Sequence, residues 1–501
     1  MPRILGDLRS IFESCSLPAY LVGGLLRDAL LGRQTWDIDV AIQTDDPMPF
    51  AGELARHLGG AFVPLSHEHH VARVVVDDPA YGRWSVDLSG IQGSLHDDLR
   101  RRDFTIDAIA LSSEYWDRSD WPDHIIDPLG GTADLGNRVI RAIGPHAFRD
   151  DPVRLLRAVR LSAQLDFHID PETSAFMRSD SHLVSNLAGE RIRNELLAIL
   201  ASEKAKEHLR KMDGLGLLCA IIPELQAAKG VSQPREHYWD VFDHSIEAVG
   251  AVERVLSPGT RNSEADMLAG LVPWSPEIDD HFAEEVSDGH TRATMLKMGA
   301  LLHDVAKPQT KMIDPKGKTR FLGHHTLGAE VSRDISRRLR VSNRGADILA
   351  ALVENHLRPT QMCQGGDMPT RRAIYKFFRD VGDTAIDTLY LSLADHLAAR
   401  GPTITMDGWK EHIDITEHIL NVGTQEQAPE NMPRLITGHD VMRALGLPPG
   451  PLVGRILEEV RGAQASGAVS DADGALVLAQ SLASDSPEGE AGEIPSGCQD
   501  A

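Results

Sequence analysis

The chain has no apolar run long enough to span a bilayer, and no Cys-x-x-Cys pair among its four cysteines, Cys15, Cys219, Cys363 and Cys498. The first absence argues against a membrane partner. The second argues against a zinc ribbon or a disulfide framework and leaves the cysteines as free thiols. The opening Met1-Pro2-Arg3-Ile4-Leu5-Gly6-Asp7 carries no cleavable signal and reads as a mixed helix start, so a cytoplasmic location is expected. Internal repeats are absent. Lys and Arg are missing from residues 471–501, and the Ser-, Gly- and Glu-rich end, 484–501, reads as a disordered acidic tail.

Positive charge is scarce overall. A net charge of −23 would repel phosphates, yet much of the acidic excess sits in residues 471–501 and in the stretch Glu264 to Asp288. Ahead of both runs a basic band of Arg100, Arg101, Arg102, Arg154, Arg157, Arg160, Arg191, Arg193, Lys204, Lys206, Arg210 and Lys211. The band is either a solvated helical surface or, taken together, a groove for a triphosphate and an RNA stem. At 501 residues the chain exceeds one ordinary core, and three or four domains are expected.

What the chain does contain is a strand, a glycine turn, a short helix and a second strand: Leu21-Val22-Gly23-Gly24-Leu25-Leu26-Arg27-Asp28, then Trp36-Asp37-Ile38-Asp39-Val40. Residues two apart on a strand share a face, so Asp37 and Asp39 can present both carboxylates to divalent metal. Gly23 and Gly24 let backbone N–H groups approach a phosphate at a helix start. Downstream, Asp98-Leu99-Arg100-Arg101-Arg102-Asp103-Phe104-Thr105-Ile106-Asp107 forms a basic cluster closed by an aspartate, which is expected to run into an apolar helix through Ala110. The set suggests nucleotidyl transfer: a hydroxyl attacks the α-phosphate of a nucleoside triphosphate, with Mg2+ at Asp37 and Asp39. Asp87, in Ser85-Val86-Asp87-Leu88, is a candidate third carboxylate or a simple strand-end aspartate, and Arg27 either contacts triphosphate or pairs with Asp28 or a neighbour.

These segments resemble the bacterial class II CCA tRNA nucleotidyltransferase and poly(A) polymerase family. So do Asp150-Asp151-Pro152-Val153-Arg154-Leu155-Leu156-Arg157-Ala158-Val159-Arg160 and Gly189-Glu190-Arg191-Ile192-Arg193-Asn194-Glu195-Leu196, in the family's order. The likeness continues to about residue 480. It implies tRNA, CTP and ATP as partners and a nucleotide site built from Gly23, Gly24, Arg27, Arg101, Arg102, Asp103, Asp151, Arg154, Arg157 and Arg160. Cytosine and adenine each offer an amino donor beside a ring-nitrogen acceptor. Asp151 can therefore accept from the amino group while Arg154 donates to the ring nitrogen, provided the two sit three apart on one helix face; an intrahelical salt bridge is the alternative. Two positions depart from the family: Asp150 stands where Glu is common, and Asp107 where Asn is usual. By the same resemblance, the stretch between Asp39 and Arg101 holds a flexible loop that helps separate the family's activities.

A second constellation follows residue 235: His244 in Val241-Phe242-Asp243-His244-Ser245, then His303-Asp304, then Asp395. This order resembles the HD-domain metal phosphohydrolases, whose divalent metal activates water toward a phosphoester. His324 and His356 fall where some members of that superfamily place extra ligands.

The fold expected is α+β: a nucleotidyltransferase head over 1–145, a helical neck and RNA-binding region over 146–232, an HD domain over 235–402, a helical C-terminal region over 403–483 and the acidic tail. The main reading is addition of C and A to the 3′ end of tRNA, with a hydrolytic HD unit. Poly(A) synthesis and CC-only or A-only addition share its motifs. Outside that class stand a phosphohydrolase whose head only binds nucleotide or RNA, and an RNA-binding scaffold. Oligomeric state is left open.

Overall fold

In a computed structural model of the chain, the residues described are 4–15, 17–66, 71–78, 82–257, 266–363, 367–424 and 433–484. The tail expected over 484–501 therefore lies outside them beyond Ser484, as do Cys498 and parts of the Asp39–Arg101 stretch, 67–70 and 79–81. The described chain forms two compact units, residues 1–223 and 224–501. The architecture is α+β, with a sheet-based N-terminal region followed by helices.

The first unit is organised by a six-stranded sheet. Its strands are β1 (Ala19–Val22), β2 (Asp37–Ile42), β3 (Ala61–Ser66), β4 (Val71–Asp78), β5 (Gly82–Gly90) and β6 (Ala110–Ser112), in the order β3-β4-β5-β2-β1-β6. Only β2 and β5 run parallel; the other neighbours are antiparallel. Alternation sets the faces. Ile38 and Val40 are buried on one side of β2, and Trp84, Val86 and Leu88 on the matching side of β5, which turns Asp37, Asp39 and Asp87 to the opposite side. Val22, Ala41, Ile91, Leu99, Ala108 and Ala110 form an apolar cluster beside the sheet.

The segment after Asp103 is not a helix. One 3-10 turn over Thr105–Asp107 leads directly into β6, which pairs with β1, and Ala110 also bridges Ile126. Residues 103–111 are all buried, so the apolar run is satisfied on every side and needs no amphipathic helix to hide it. Beyond it, a two-stranded pairing of Val139–Ile140 with His168–Ile169 brackets helix Val153–Leu165.

In the second unit, helices Val241–Val255, Arg292–Leu302, His324–Arg338, Asn343–Asn355 and Ala385–Arg400 pack on one another. A hairpin, Lys311–Ile313 with Thr319–Phe321, interrupts them. Arg292, the first residue of its helix, is buried, its charge met by Glu284, Asp383 and Asp387. Three further helices, Gly438–Leu445, Pro451–Ala465 and Ala472–Ser484, share a small core around Val441, Val453, Ile456 and Val460.

Candidate nucleotidyl-transfer and metal sites

In the first unit the parallel register sets Asp39 directly beside Asp87, with Asp37 two residues away toward the strand start. On its other flank Asp39 pairs with Val22, the last residue of β1 before the glycine turn. That turn passes under the charges. Gly23 has φ 71 and ψ −138, and a methyl group there would sit 3.1 Å from Nη1 of Arg102 and 3.1 Å from Oδ2 of Asp39. Burial pushes the Asp39 carboxyl up to about 6, with Arg102 opposing the shift and Asp87 adding to it. A carboxylate so crowded by a second carboxylate suits a site that takes up a cation.

The remaining charges interlock. Arg73 donates two hydrogen bonds to Asp87, at 2.7 and 2.8 Å. Arg27 is held between Asp28, at 3.0 and 3.1 Å, and Asp107, at 2.7 Å. Of the two alternatives for Arg27, the ion pair is therefore present, and it still leaves N–H groups unused. Asp103 accepts from the N–H of Phe104 and pairs with Arg157 at 2.9 Å. Arg102 lies 3.6 Å from Asp98, and Arg160 pairs with Glu195 at 2.6 Å. Much of the basic band is thus matched by carboxylates, including Arg191 by Asp151 and Lys204 by Asp166.

Asp151 and Arg154 are not on one helix. Asp151 is extended, with φ −148 and ψ 100, and the helix starts at Val153. The cause is Pro152, whose ring disfavours helical geometry in the residue before it. Arg154 donates to the carbonyls of Ala147 and Arg101, at 3.1 and 2.7 Å, which ties this helix start to the basic cluster. Asp151 is therefore paired with Arg191 rather than with Arg154 in this structure.

The second unit gathers its expected residues closely. Nε2 of His244 lies 3.1 Å from Nε2 of His303 and 3.0 Å from Asp395, and His303 is 3.2 Å from Asp304. On the far side of Asp304, His324 is 3.4 Å away and His356 3.9 Å. The donors fall into two groups, His244 with His303 and Asp395, and Asp304 with His324 and His356, each compact enough to hold one metal ion. Local backbone geometry aims the rings. His303, His324 and His356 each place Nδ1 within 2.8 Å of the carbonyl three residues earlier, on Ala300, Phe321 and Val353. With Nδ1–H donating there, Nε2 keeps its lone pair for the centre. Burial pushes His356 down to about 3, holding it neutral as a ligand must be. Burial also acts on His303, but the carboxylates of Asp304 and Asp395 outweigh it and raise that imidazole to about 10. The excess negative charge responsible is what a metal ion would neutralise.

Lys307, which the motif reading passed over, pairs with Asp304 at 2.6 Å and lies over the Phe321 ring. Its place three residues after Asp304 was a signal that could have found it. Arg73 carried no such signal, because it is one polar residue in an apolar strand and its partner depends on register. A cavity of about 390 Å³ opens onto this centre, lined by Asp304, Lys307, His324, His356, Asp395 and His237 among others. Among the described residues no helix is long and apolar enough to cross a membrane.

Parallel carboxylate strands beside a glycine turn, and a helical bundle with a histidine–aspartate cluster, define a nucleotidyltransferase joined to an HD unit. Comparison with known proteins agrees. Residues 19–141 match the Poly A polymerase head domain, 166–229 the "Probable RNA and SrmB- binding site of polymerase A", and 280–400 the HD domain. An A-adding tRNA nucleotidyltransferase of Deinococcus radiodurans is 34% identical over 94% of this chain and 96% of its own length. A CC-adding tRNA nucleotidyltransferase of Thermus thermophilus is 31% identical over 90% of each. The chain belongs to the tRNA nucleotidyltransferase family. Its fold is similar to that of the Thermotoga maritima CCA-adding enzyme complexed with tRNA, with a TM-score of 0.62 at 20% identity over 96% of both chains.

Proposed function

We propose that this chain adds C and A, from CTP and ATP, to the 3′ end of tRNA without a nucleic-acid template, in the cytoplasm. The observation that carries the reading is the placement of Asp39 between Asp87 and the Gly23 turn. In this reading residues 1–145 are the catalytic head, 146–232 the RNA-binding neck, 235–402 the HD domain and 403–483 a C-terminal helical region. Asp37, Asp39 and Asp87 would hold Mg2+, whose charge offsets that of the triphosphate and favours the attacking hydroxyl as an oxyanion. Arg73 fixes the Asp87 carboxylate in one orientation. Gly23 and Gly24 leave room for phosphate, and Arg27, Arg101, Arg102, Arg157 and Arg160 supply positive charge near it, with Asp103 orienting Arg157. Base choice falls to Asp151, accepting from an exocyclic amino group, and Arg154, donating to the ring nitrogen. For that, Asp151 exchanges its contact with Arg191, and Arg154 turns from the carbonyl of Arg101.

In the HD domain, two divalent ions fit the two donor groups, with Asp304 central and Lys307 offsetting its charge. Metal there would activate water for hydrolysis of a phosphoester: water oxygen bonds to phosphorus, one P–O bond to the ribose breaks, and the ribose oxygen takes the proton.

A second reading, addition of A alone, is favoured by the 34% identity to the A-adding relative over nearly the whole chain. Incubating the protein with tRNAs ending in the discriminator base, C or CC, with each nucleotide singly, decides between them. C incorporation followed by A supports full CCA addition, and A incorporation on CC ends alone supports the second reading. Absence of any incorporation refutes both.

A further inference from the structure

The hairpin between the HD ligands inverts the charge of the chain. Residues 311–321 carry Lys311, Lys316, Lys318 and Arg320 against a single carboxylate, Asp314, in a protein of net charge −23. Asp314 is occupied as the turn's organiser, accepting from the N–H groups of Lys316 and Lys318 and from Arg320. The exposed ammonium groups of Lys316 and Lys318 meet no carboxylate among the described residues. Beside these cations the hairpin exposes large apolar side chains, with Ile313 at 70% and Leu322 at 69%.

Position makes this more than a charged loop. Thr319, Arg320, Phe321 and Leu322 form one wall of the 390 Å³ cavity over the histidine–aspartate centre. The Phe321 carbonyl holds His324 in its ligand tautomer, and the Phe321 ring backs Lys307. From Arg320 to Lys318 the chain runs roughly 7 Å outward at strand rise, and Lys316 sits in the turn beyond it, so the cations extend farther than one phosphate needs. A mononucleotide in the cavity would leave the tip cations unused, whereas a chain of phosphates leaving the cavity would cross them.

We propose that the hairpin 311–322 is a docking track for single-stranded RNA, which delivers a 3′-terminal phosphoester into the HD cavity. Phosphates lie against Lys311, Lys316, Lys318 and Arg320, and unpaired bases rest on Met312, Ile313 and Leu322. The substrate class of the HD centre is then an RNA end rather than a free nucleotide, an inference that rests on the hydrolytic reading above.

The test pairs cross-linking with kinetics on the full chain. An oligonucleotide ending in a 2′,3′-cyclic phosphate, with 4-thiouridine at the second and third positions from that end, is irradiated with the protein and the adducts are mapped. Hydrolysis of the same oligonucleotide and of 2′,3′-cyclic AMP is compared for wild type and Lys316→Glu/Lys318→Glu, neither position lining the cavity. Adducts within 311–322 are expected, with a tenfold or greater loss of kcat/KM on the oligonucleotide and none on cyclic AMP. The log–log salt slope on RNA should fall by about 1.4, from two contacts at about 0.7 each. Adducts confined to other segments, or equal losses on both substrates, overturn the docking track. Failure of the wild type to hydrolyse either substrate overturns the hydrolytic reading instead, and the adduct map then still decides where RNA lies.

Discussion

Replacing Gly23 with alanine tests the geometry of the head at its tightest point. Two costs add. The backbone conformation, φ 71 with ψ −138, is one that side chains other than hydrogen rarely adopt, and such strain costs on the order of 1–3 kcal/mol. The new methyl would also meet Asp39 Oδ2 and Arg102 Nη1, each at 3.1 Å. Both groups then retreat by a few tenths of an ångström or the turn itself moves. The carboxylate displaced is one of those proposed to hold Mg2+, and misplacement of a reacting constellation by about 1 Å can cost 10²-fold in rate. Single-turnover incorporation of labelled nucleotide into tRNA should therefore fall by about 10- to 100-fold, and a urea titration should show the first unit weakened by about 1–3 kcal/mol. Phosphoester hydrolysis by the HD centre should not change. An alanine variant with full incorporation and unaltered stability would refute the argument from the turn. Lost stability with full incorporation would separate the turn from the chemistry.

Asp37→Ala or Asp39→Ala should abolish nucleotide addition while tRNA retention on filters stays close to wild type, because the lost group is assigned to metal rather than to RNA; near-normal addition in either variant would remove the catalytic assignment. Asp151→Ala should relax discrimination against UTP and GTP by roughly 1–3 kcal/mol in relative kcat/KM. Equal slowing with all four nucleotides would make Asp151 a structural partner of Arg191. His303→Ala combined with Asp304→Ala should eliminate metal-dependent hydrolysis of a 2′,3′-cyclic phosphate and leave addition to tRNA intact. Loss of both activities, with circular dichroism unchanged, would assign the HD unit to RNA binding or packing.

Local periodicity was legible and long-range register was not. The shared face of Asp37 and Asp39 follows from a two-residue repeat, and the structure keeps it. Asp87 could be named but not placed, because its position beside Asp39 depends on a parallel pairing across an excursion of two strands and a helix. The Asp107–Arg27 and Asp87–Arg73 pairs were invisible for the same reason. A one-residue rule would have corrected the Asp151 expectation: the proline at 152 disfavours the helical phase assumed for it. In the second unit the order of His and Asp along the chain pointed to the ligands. Their division into two groups, with His303 and its neighbour Asp304 falling on different sides, comes only from the crossing of five helices.

The parallel contact between β2 and β5 separates what the chain must preserve from what it can vary. Both carboxylate strands are interior to the sheet, while everything translated between them ends at its margin, where β3 is the outermost strand. Length changes in the turns of that excursion would leave the spacing of Asp39 and Asp87 untouched, since neither strand's neighbours would need to move. The arrangement lets one rim of the sheet change in length without disturbing the carboxylates at its centre.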